Sequence, residues 1–383
     1  MKVALDLKNV ALYSGGIAHW LGEVLPAWIN SCPQDEFIGI APQGSDTKPV
    51  IYPDISKYYL SWSSWIPRQL RHVFYDNWLF PRCIQSLHPA LLFSPYHDLR
   101  LPKKGCNIYS VVTVHDLCFL EVPNAYPWAI RIYYRWMMRL NVARAHHILT
   151  VSEATRQNLI DHFSYPAQEI SVVPNALSAD FFDFQPSLDE IAAWRSSAQL
   201  IDSKALLYTG GIEYRKNIPR LLAAMRFLWA KGEKVTLCIT GNLNDKWKHL
   251  FSEEELVSRK ILFLGRLSLA ELRLAYQSTD AVVYPSLCEG FGRACLEARV
   301  SGTPLACSDL AVFHEVVGDY ASYFDPLDVQ SMVDSIGIAL KSKRQTPHFD
   351  MRYQLSNVQA QFVITMKRVS EKAKELTNTI QGL

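Results

Sequence analysis

Short apolar runs recur along this chain at residues 3–7, 90–94, 108–114, 147–151, 205–209, 234–240, 261–264 and 281–284. Runs this brief suit a buried strand and are too short for a core helix. Amphipathic segments such as 219–231 and 269–278 lie between several of them. Strand, helix, strand at this spacing predicts parallel sheets with crossover helices on their faces. The runs form two sets, one before residue 175 and one after 203. The expected fold class is α/β, two doubly wound Rossmann-like domains facing a central cleft.

Domains are expected at residues 1–178 and 179–350, with a C-terminal helix over 351–383 that would pack back on the first domain. Residues 175–199 carry Ser, Asp, Phe and Pro without a sheet pattern and read as the connection, ending in a helix. From about Gln354 the chain reads as one long polar helix, and nothing in the sequence fixes its docking place. At 383 residues, 49% hydrophobic and 20% charged, each half can bury its own core. A net charge of +2 with no basic run gives no support for a nucleic-acid partner. The eight cysteines form no CxxC, which reads as buried free thiols in a reducing compartment. The start, MKVALDLKNV, alternates like a strand and lacks a signal-peptide core. No stretch approaches 18 apolar residues. The expected location is cytoplasmic, with peripheral contact to the inner face of a membrane left open.

Ligands of doubly wound domains gather at the carboxyl ends of strands, so the residues just after each run carry the chemistry. Ser14-Gly15-Gly16-Ile17 precedes a helical run and reads first as a glycine turn, second as an anion site. His115 and Asp116 end the run 108–114; His115 could donate to a sugar hydroxyl with Asp116 orienting it, or simply cap the strand. Thr209-Gly210-Gly211 leads to Arg215-Lys216 and a helix start at Asn217 and Pro219, aiming cations and N–H groups at one spot that suits a diphosphate. GxGxxG is absent at 14–17 and GxxxxGK[ST] at 209–217, so a dinucleotide fold gets little support and a P-loop none. Glu289 precedes Gly290-Phe291-Gly292, and Glu297 falls in the helix that follows. Carboxylates beside a glycine loop suit bidentate contacts to vicinal hydroxyls, although exposed acids on a surface helix would look the same.

Together these residues resemble a known family. The stretch YPSLCEGFGRACLEARVSGTPLACS is similar to the carboxyl-terminal signature of retaining GT-B glycosyltransferases of family 4, with Glu289 and Glu297 as its E-x7-E pair. VHDL at 114–117, VSEATRQNL at 151–159, VVPNA at 172–176 and TGGIEYRKN at 209–217 follow in family order, so the likeness covers nearly the whole chain. The resemblance implies a nucleotide-sugar donor on the second domain and an acceptor on the first. Glu297 would hold the donor ribose. Glu289 would hold the sugar hydroxyls with the N–H groups of Phe291 and Gly292, beside Gly290. Lys216, with Arg215, would bind the diphosphate; His115 would contact the donor sugar, and Gly16 would lie near the phosphates. Catalytic roles are thus implied for His115, Lys216 and Glu289. No metal and no cofactor beyond the nucleotide-sugar are expected, and the sequence holds no D-x-D. Where many relatives carry a phosphate-binding Arg, this chain has Gly211, and Arg215 is the candidate replacement.

The likeness points first to a mannosyltransferase using GDP-mannose, with UDP- and dTDP-linked glucosyl, N-acetylhexosaminyl and rhamnosyl donors as rivals. The acceptor would be a glycan or polyprenyl-linked sugar of a bacterial O-antigen-type polysaccharide. Seven of the ten tryptophans precede residue 178, and the stretches 57–82 and 131–144 mix aromatics with cations. That pattern suits an anionic membrane surface as well as an ordinary helix with a basic face. A nucleotide-sugar epimerase, a phosphorylase-like enzyme and a non-catalytic partner subunit are the rival readings. The E-x7-E pair speaks against the two rival enzymes, and the full set His115, Lys216, Glu289 and Glu297 against the non-catalytic subunit.

Overall fold

The computed structural model describes residues 1–8, 16–43, 55–61, 66, 71–101, 107–125, 127–182, 184–200, 202–243, 245–347 and 349–381. The chain divides into two compact units: Met1–Leu117, Trp128–Ala176 and Arg352–Leu383 in the first, Cys118–Pro127 and Leu177–Met351 in the second.

Among the described residues the first unit holds seven strands: β1 (Lys2–Asp6), β2 (Glu36–Pro42), β3 (Ser56–Leu60), β4 (Leu91–Ser94), β5 (Tyr109–Val114), β6 (His147–Thr150) and β7 (Ile170–Val172). They pair in the order β3-β2-β1-β4-β5-β6-β7, all parallel. Strands β4, β5 and β6 are wholly buried and β1 nearly so, as central strands of parallel sheets are. The helix Gly16–Ser31 packs here through Trp20 and Trp28, both fully buried. Trp28 meets Phe37 and Phe93 edge-on at 5.0 and 6.0 Å.

The terminal helix Leu355–Gln381 docks on this unit. Its apolar stripe, Val358, Phe362, Met366, Val369 and Ala373, recurs at three- and four-residue steps and is wholly buried. Phe362 lies 5.9 Å from Trp20, and Gln359 Nε2 donates to the Glu23 carbonyl at 2.8 Å. A helix that looks polar in sequence thus carries one narrow stripe, which suffices to fix its place.

The second unit has β8 (Lys204–Tyr208), β9 (Val235–Ile239), β10 (Ile261–Phe263), β11 (Ala281–Tyr284), β12 (Leu305–Ser308) and β13 (Ala321–Phe324). Their order is β10-β9-β8-β11-β12-β13, again parallel. From β8 the chain moves outward to β9 and β10; from β11 it moves the other way. The crevice beyond the carboxyl ends of β8 and β11 is therefore the topological switch point, where open α/β sheets bind ligands.

Candidate active site

Two loops meet at that switch point. The loop after β8 runs from Thr209 into a short turn, Tyr214–Lys216, and then the helix Ile218–Ala230. Asn217 sits between them at φ 58°, a left-handed conformation that Asn tolerates, and its side chain donates to the Pro326 carbonyl at 2.7 Å. The loop after β11 runs through residues 285–292 into the helix Arg293–Val300. Leu287 N donates to the Arg215 carbonyl at 2.8 Å, sewing the loops together. Gly292 turns the second loop at φ 93°, and a Cβ there would come within 2.6 Å of the Phe313 ring. Only glycine fits both demands.

This folding buries both glutamates and gives each its own partners. Glu289 Oε1 accepts from Lys216 Nζ at 2.5 Å and from Ser286 Oγ at 2.8 Å; Oε2 accepts from Arg215 Nη1 at 3.1 Å. Burial alone would raise the Glu289 carboxyl, but Lys216 and Arg215 overcome it and hold it below the usual range. Lys216, itself buried, also donates to the Tyr284 hydroxyl at 2.9 Å. Glu297 Oε2 accepts from the buried Tyr276 hydroxyl at 2.8 Å, and Arg293 Nε lies 3.3 Å from Oε1. Burial, with Glu297 beside it, holds the Tyr276 phenol well above its ordinary value, so it stays a donor. The Thr209 hydroxyl bonds Tyr276 at 2.7 Å, which links β8's loop to Glu297.

Beside this pair opens a cavity of about 520 Å³, lined by Thr209–Gly211, Thr240-Gly241, Gly265–Leu267, Arg293 and Glu297, among others. Its size suits a nucleotide. Gly241 and Gly265, at φ 90° and 71°, join in an isolated antiparallel bridge that forms part of its wall. A larger hollow of about 660 Å³ opens at the amino ends of β8 and β9, around Ser203, Lys234 and Val235, and carries none of the site residues. Gly211 lines the nucleotide-sized cavity, whereas Arg215 does not: it is held by Glu213 and Glu289. The cations lining that cavity are Arg266 and Arg293.

In the first unit, His115 follows β5. Its Nε2–H donates to the Pro95 carbonyl at 2.9 Å, just beyond the neighbouring β4, and its ring meets Trp20 edge-on at 5.3 Å. Burial lowers the imidazole to about 4, outweighing the opposing pull of the Pro95 carbonyl and Asp116. His115 is therefore neutral near pH 7, with Nε2 already committed. The atom left for a ligand is Nδ1, which accepts, so the ring would take a hydrogen bond from a sugar hydroxyl rather than give one. Gly16 begins its helix and is exposed; Ser14 and Gly15 lie outside the described residues.

The expectation of eight free thiols fails at one pair: Cys118 and Cys288 form a disulfide, Cα to Cα 5.6 Å, across 170 residues of sequence. Spacing could not reveal it, because pairing over that distance is set by the fold. Cys32, Cys83, Cys238, Cys295 and Cys307 are free; Cys106 lies outside the described residues. Among the described residues no group of three or more His, Cys, Asp or Glu side chains is placed to hold a metal ion.

Residues 192–357 match the family described as Glycosyl transferases group 1, and residues 37–181 match Glycosyltransferase Family 4. The chain belongs to the family 4 glycosyltransferases. This is a family of retaining hexosyltransferases. Two curated relatives are similar to it. The O-antigen chain mannosyltransferase RfbU of Salmonella typhimurium is 26% identical over 73% of this chain and 72% of that protein. O-antigen chain mannosyltransferase B of Escherichia coli is 32% identical, over 58% of this chain and 59% of that protein, less than two thirds of its length. Sucrose-phosphate synthase from Thermosynechococcus elongatus superposes with a TM-score of 0.67 over 100% of this chain and 99% of its own, at 17% identity. That likeness shows the fold, GT-B.

Glu289 lies with the adjacent cations Arg215 and Lys216, whereas Glu297 pairs with Tyr276 and Arg293. Tyr276, Tyr284 and Arg293 were not among the sequence candidates for the family site. Arg293 alone left a signal, as the one cation between the two glutamates. Tyr276 lies 21 residues before its partner Glu297, with nothing local to mark it.

Proposed function

We propose that this glycosyltransferase moves mannose from GDP-mannose, with retention, to a glycan or polyprenyl-linked acceptor in bacterial O-antigen-type polysaccharide assembly. The observation that carries the reading is the division of labour between two buried glutamates. Glu297, on the nucleotide-sized cavity, is set to take the ribose; Glu289, held ionised by Lys216 and Arg215, is set to take sugar hydroxyls. The N–H groups of Phe291 and Gly292 would join Glu289. Arg266 and Arg293 line the space a nucleoside diphosphate would fill, and Lys216 would neutralise the leaving phosphate as charge develops on it. That phosphate would take the acceptor's proton on the face where the new bond forms. His115 would accept from the donor sugar through Nδ1. The mannosyl donor is favoured by the two O-antigen mannosyltransferase relatives. The proposed place of work is the cytoplasmic face of the membrane, and the reaction is proposed to need no metal.

A thermal-shift panel of GDP, UDP, dTDP and ADP, followed by donor consumption with and without acceptor, tests the reading. GDP is expected to give the largest stabilisation, about 2.7 kcal/mol at a hundredfold excess over Kd. GDP-mannose turnover should require acceptor. Selective stabilisation by UDP or dTDP would replace mannose with one of the rival donors. Consumption of nucleotide-sugar without acceptor would favour an epimerase.

A further inference from the structure

Glu289 sits in the irregular stretch 285–292, between β11 and the helix Arg293–Val300. No regular element holds this stretch. On one side it is fastened by Leu287 N to the Arg215 carbonyl at 2.8 Å. On the other it is fastened covalently, because Cys288, the residue directly before Glu289, is bonded to Cys118. Cys118 opens the segment Cys118–Pro127, which belongs to the second unit although its sequence neighbours on both sides belong to the first. Both sulfur-bearing residues are buried, at 0% and 1% exposure, so the cross-link lies inside the packing around the loop.

We propose that the Cys118–Cys288 disulfide is a positioning device for Glu289, and that its reversible reduction by a dithiol lowers sugar transfer. The proposal rests on reading Glu289 as a ligand of the donor sugar. A bound carboxylate must keep its place to within a fraction of an ångström to act on a reacting group. With Cys288 pinned, the Glu289 backbone is held one bond away from a fixed point. Reduction passes two electrons and two protons from the dithiol to the protein. The S–S bond breaks, Cys118 and Cys288 become thiols, and the dithiol leaves as its own disulfide. The Leu287 hydrogen bond and the Glu289 contacts to Lys216, Arg215 and Ser286 then remain, and the backbone at residue 288 gains freedom. Burial pushes the Cys295 thiol well above the usual range, which disfavours the thiolate it would need to exchange with the bond. Disulfides inside reducing compartments are commonly transient and regulatory, which suits a bond set beside a proposed catalytic residue.

The test uses the full chain in unreduced and dithiothreitol-treated forms, with the nucleoside diphosphate and nucleotide-sugar selected by the panel above. Peptide mass mapping should find Cys118 joined to Cys288 in the unreduced protein. Reduction should lower kcat/KM for the donor about tenfold, while affinity for the nucleoside diphosphate, bound through the Glu297 side, stays within about twofold. The Cys118→Ala/Cys288→Ala protein should show the reduced form's constants and ignore the reductant. Two results overturn the proposal: both thiols alkylating in unreduced protein, or a bond whose reduction leaves kcat/KM unchanged. A Glu289→Gln protein of undiminished turnover removes the functional reading, and this one with it, by a route that leaves the mass result standing.

Discussion

Glu289 is a buried carboxylate that stays charged only because two cations stand beside it. Burial pulls it toward the neutral acid, and Lys216, the closer of the two at 2.5 Å, supplies the larger opposing pull. Lys216→Ala should therefore do two things at once. Turnover should fall by about two to three orders of magnitude, the usual cost of losing a charge aimed at a developing oxyanion. The acid limb of the pH–rate profile should also move to higher pH, because Arg215 alone leaves the carboxyl more easily protonated. A folded variant with an unmoved acid limb would show that Lys216 does not control Glu289. The sequence made this pair legible because each member follows a strand end with glycines close by. It could not show Tyr276, whose hydroxyl reaches Glu297 from the last turn of another helix, nor the Cys118–Cys288 bond. Both are contacts made by topology, and neither leaves a local pattern.

Among elements, legibility followed burial. Strands β5, β6, β8, β9 and β11 are almost wholly buried and read as apolar runs. The edge strand β3 is mostly exposed, with Tyr58 and Tyr59 near half accessible, so its pattern never resembles a core strand. Strand β2 is buried but carries Gly39 and ends at Pro42, residues that usually interrupt strands. The helix Trp128–Arg144 is the element whose sequence promised more than packing. It holds four arginines and no acid, and Trp128, Ile132, Tyr133 and Trp136 stand 73%, 61%, 54% and 58% exposed. Among the described residues no helix is long and apolar enough to cross a membrane. A basic helix with bare aromatics suits the headgroup layer instead. The protein should co-sediment with vesicles containing anionic lipid and not with neutral ones. Arg135→Gln with Arg139→Gln should weaken that binding roughly thirtyfold, at about 1 kcal/mol per cation. Equal recovery from both vesicle types would point to apolar contact alone, and recovery from neither would assign the helix face to a soluble partner.

Across the molecule, the histidines whose imidazoles desolvation lowers lie in the first unit, and they tie its stability to pH. Burial lowers His115 and His147 to about 4, and lowers His97 and His146 in the same direction. His147 is 1% exposed; its Nε2 lies 2.9 Å from Ser171 Oγ, and its Nδ1 lies 3.4 Å from Glu169. Glu169 favours the charged ring, but desolvation outweighs it, and Arg368 and Lys372 add to the lowering. In the unfolded chain a histidine takes up its proton near pH 6.5. Between about pH 6.5 and 4 the unfolded state is then protonated while the native ring is not, so stability falls as pH falls through that window. Each strongly lowered histidine couples up to about 3 kcal/mol in this way. Asp6, raised by burial, acts in the opposite sense, since acid favours its folded, neutral form. The net slope alone would therefore mix signs, and a difference measurement separates them. Urea midpoints should decline from neutral pH toward pH 4.5, and His147→Gln should decline less steeply, by close to one bound proton. If the two slopes coincide, His147 is not held neutral by its burial, and the acid sensitivity of the unit must come from its other groups.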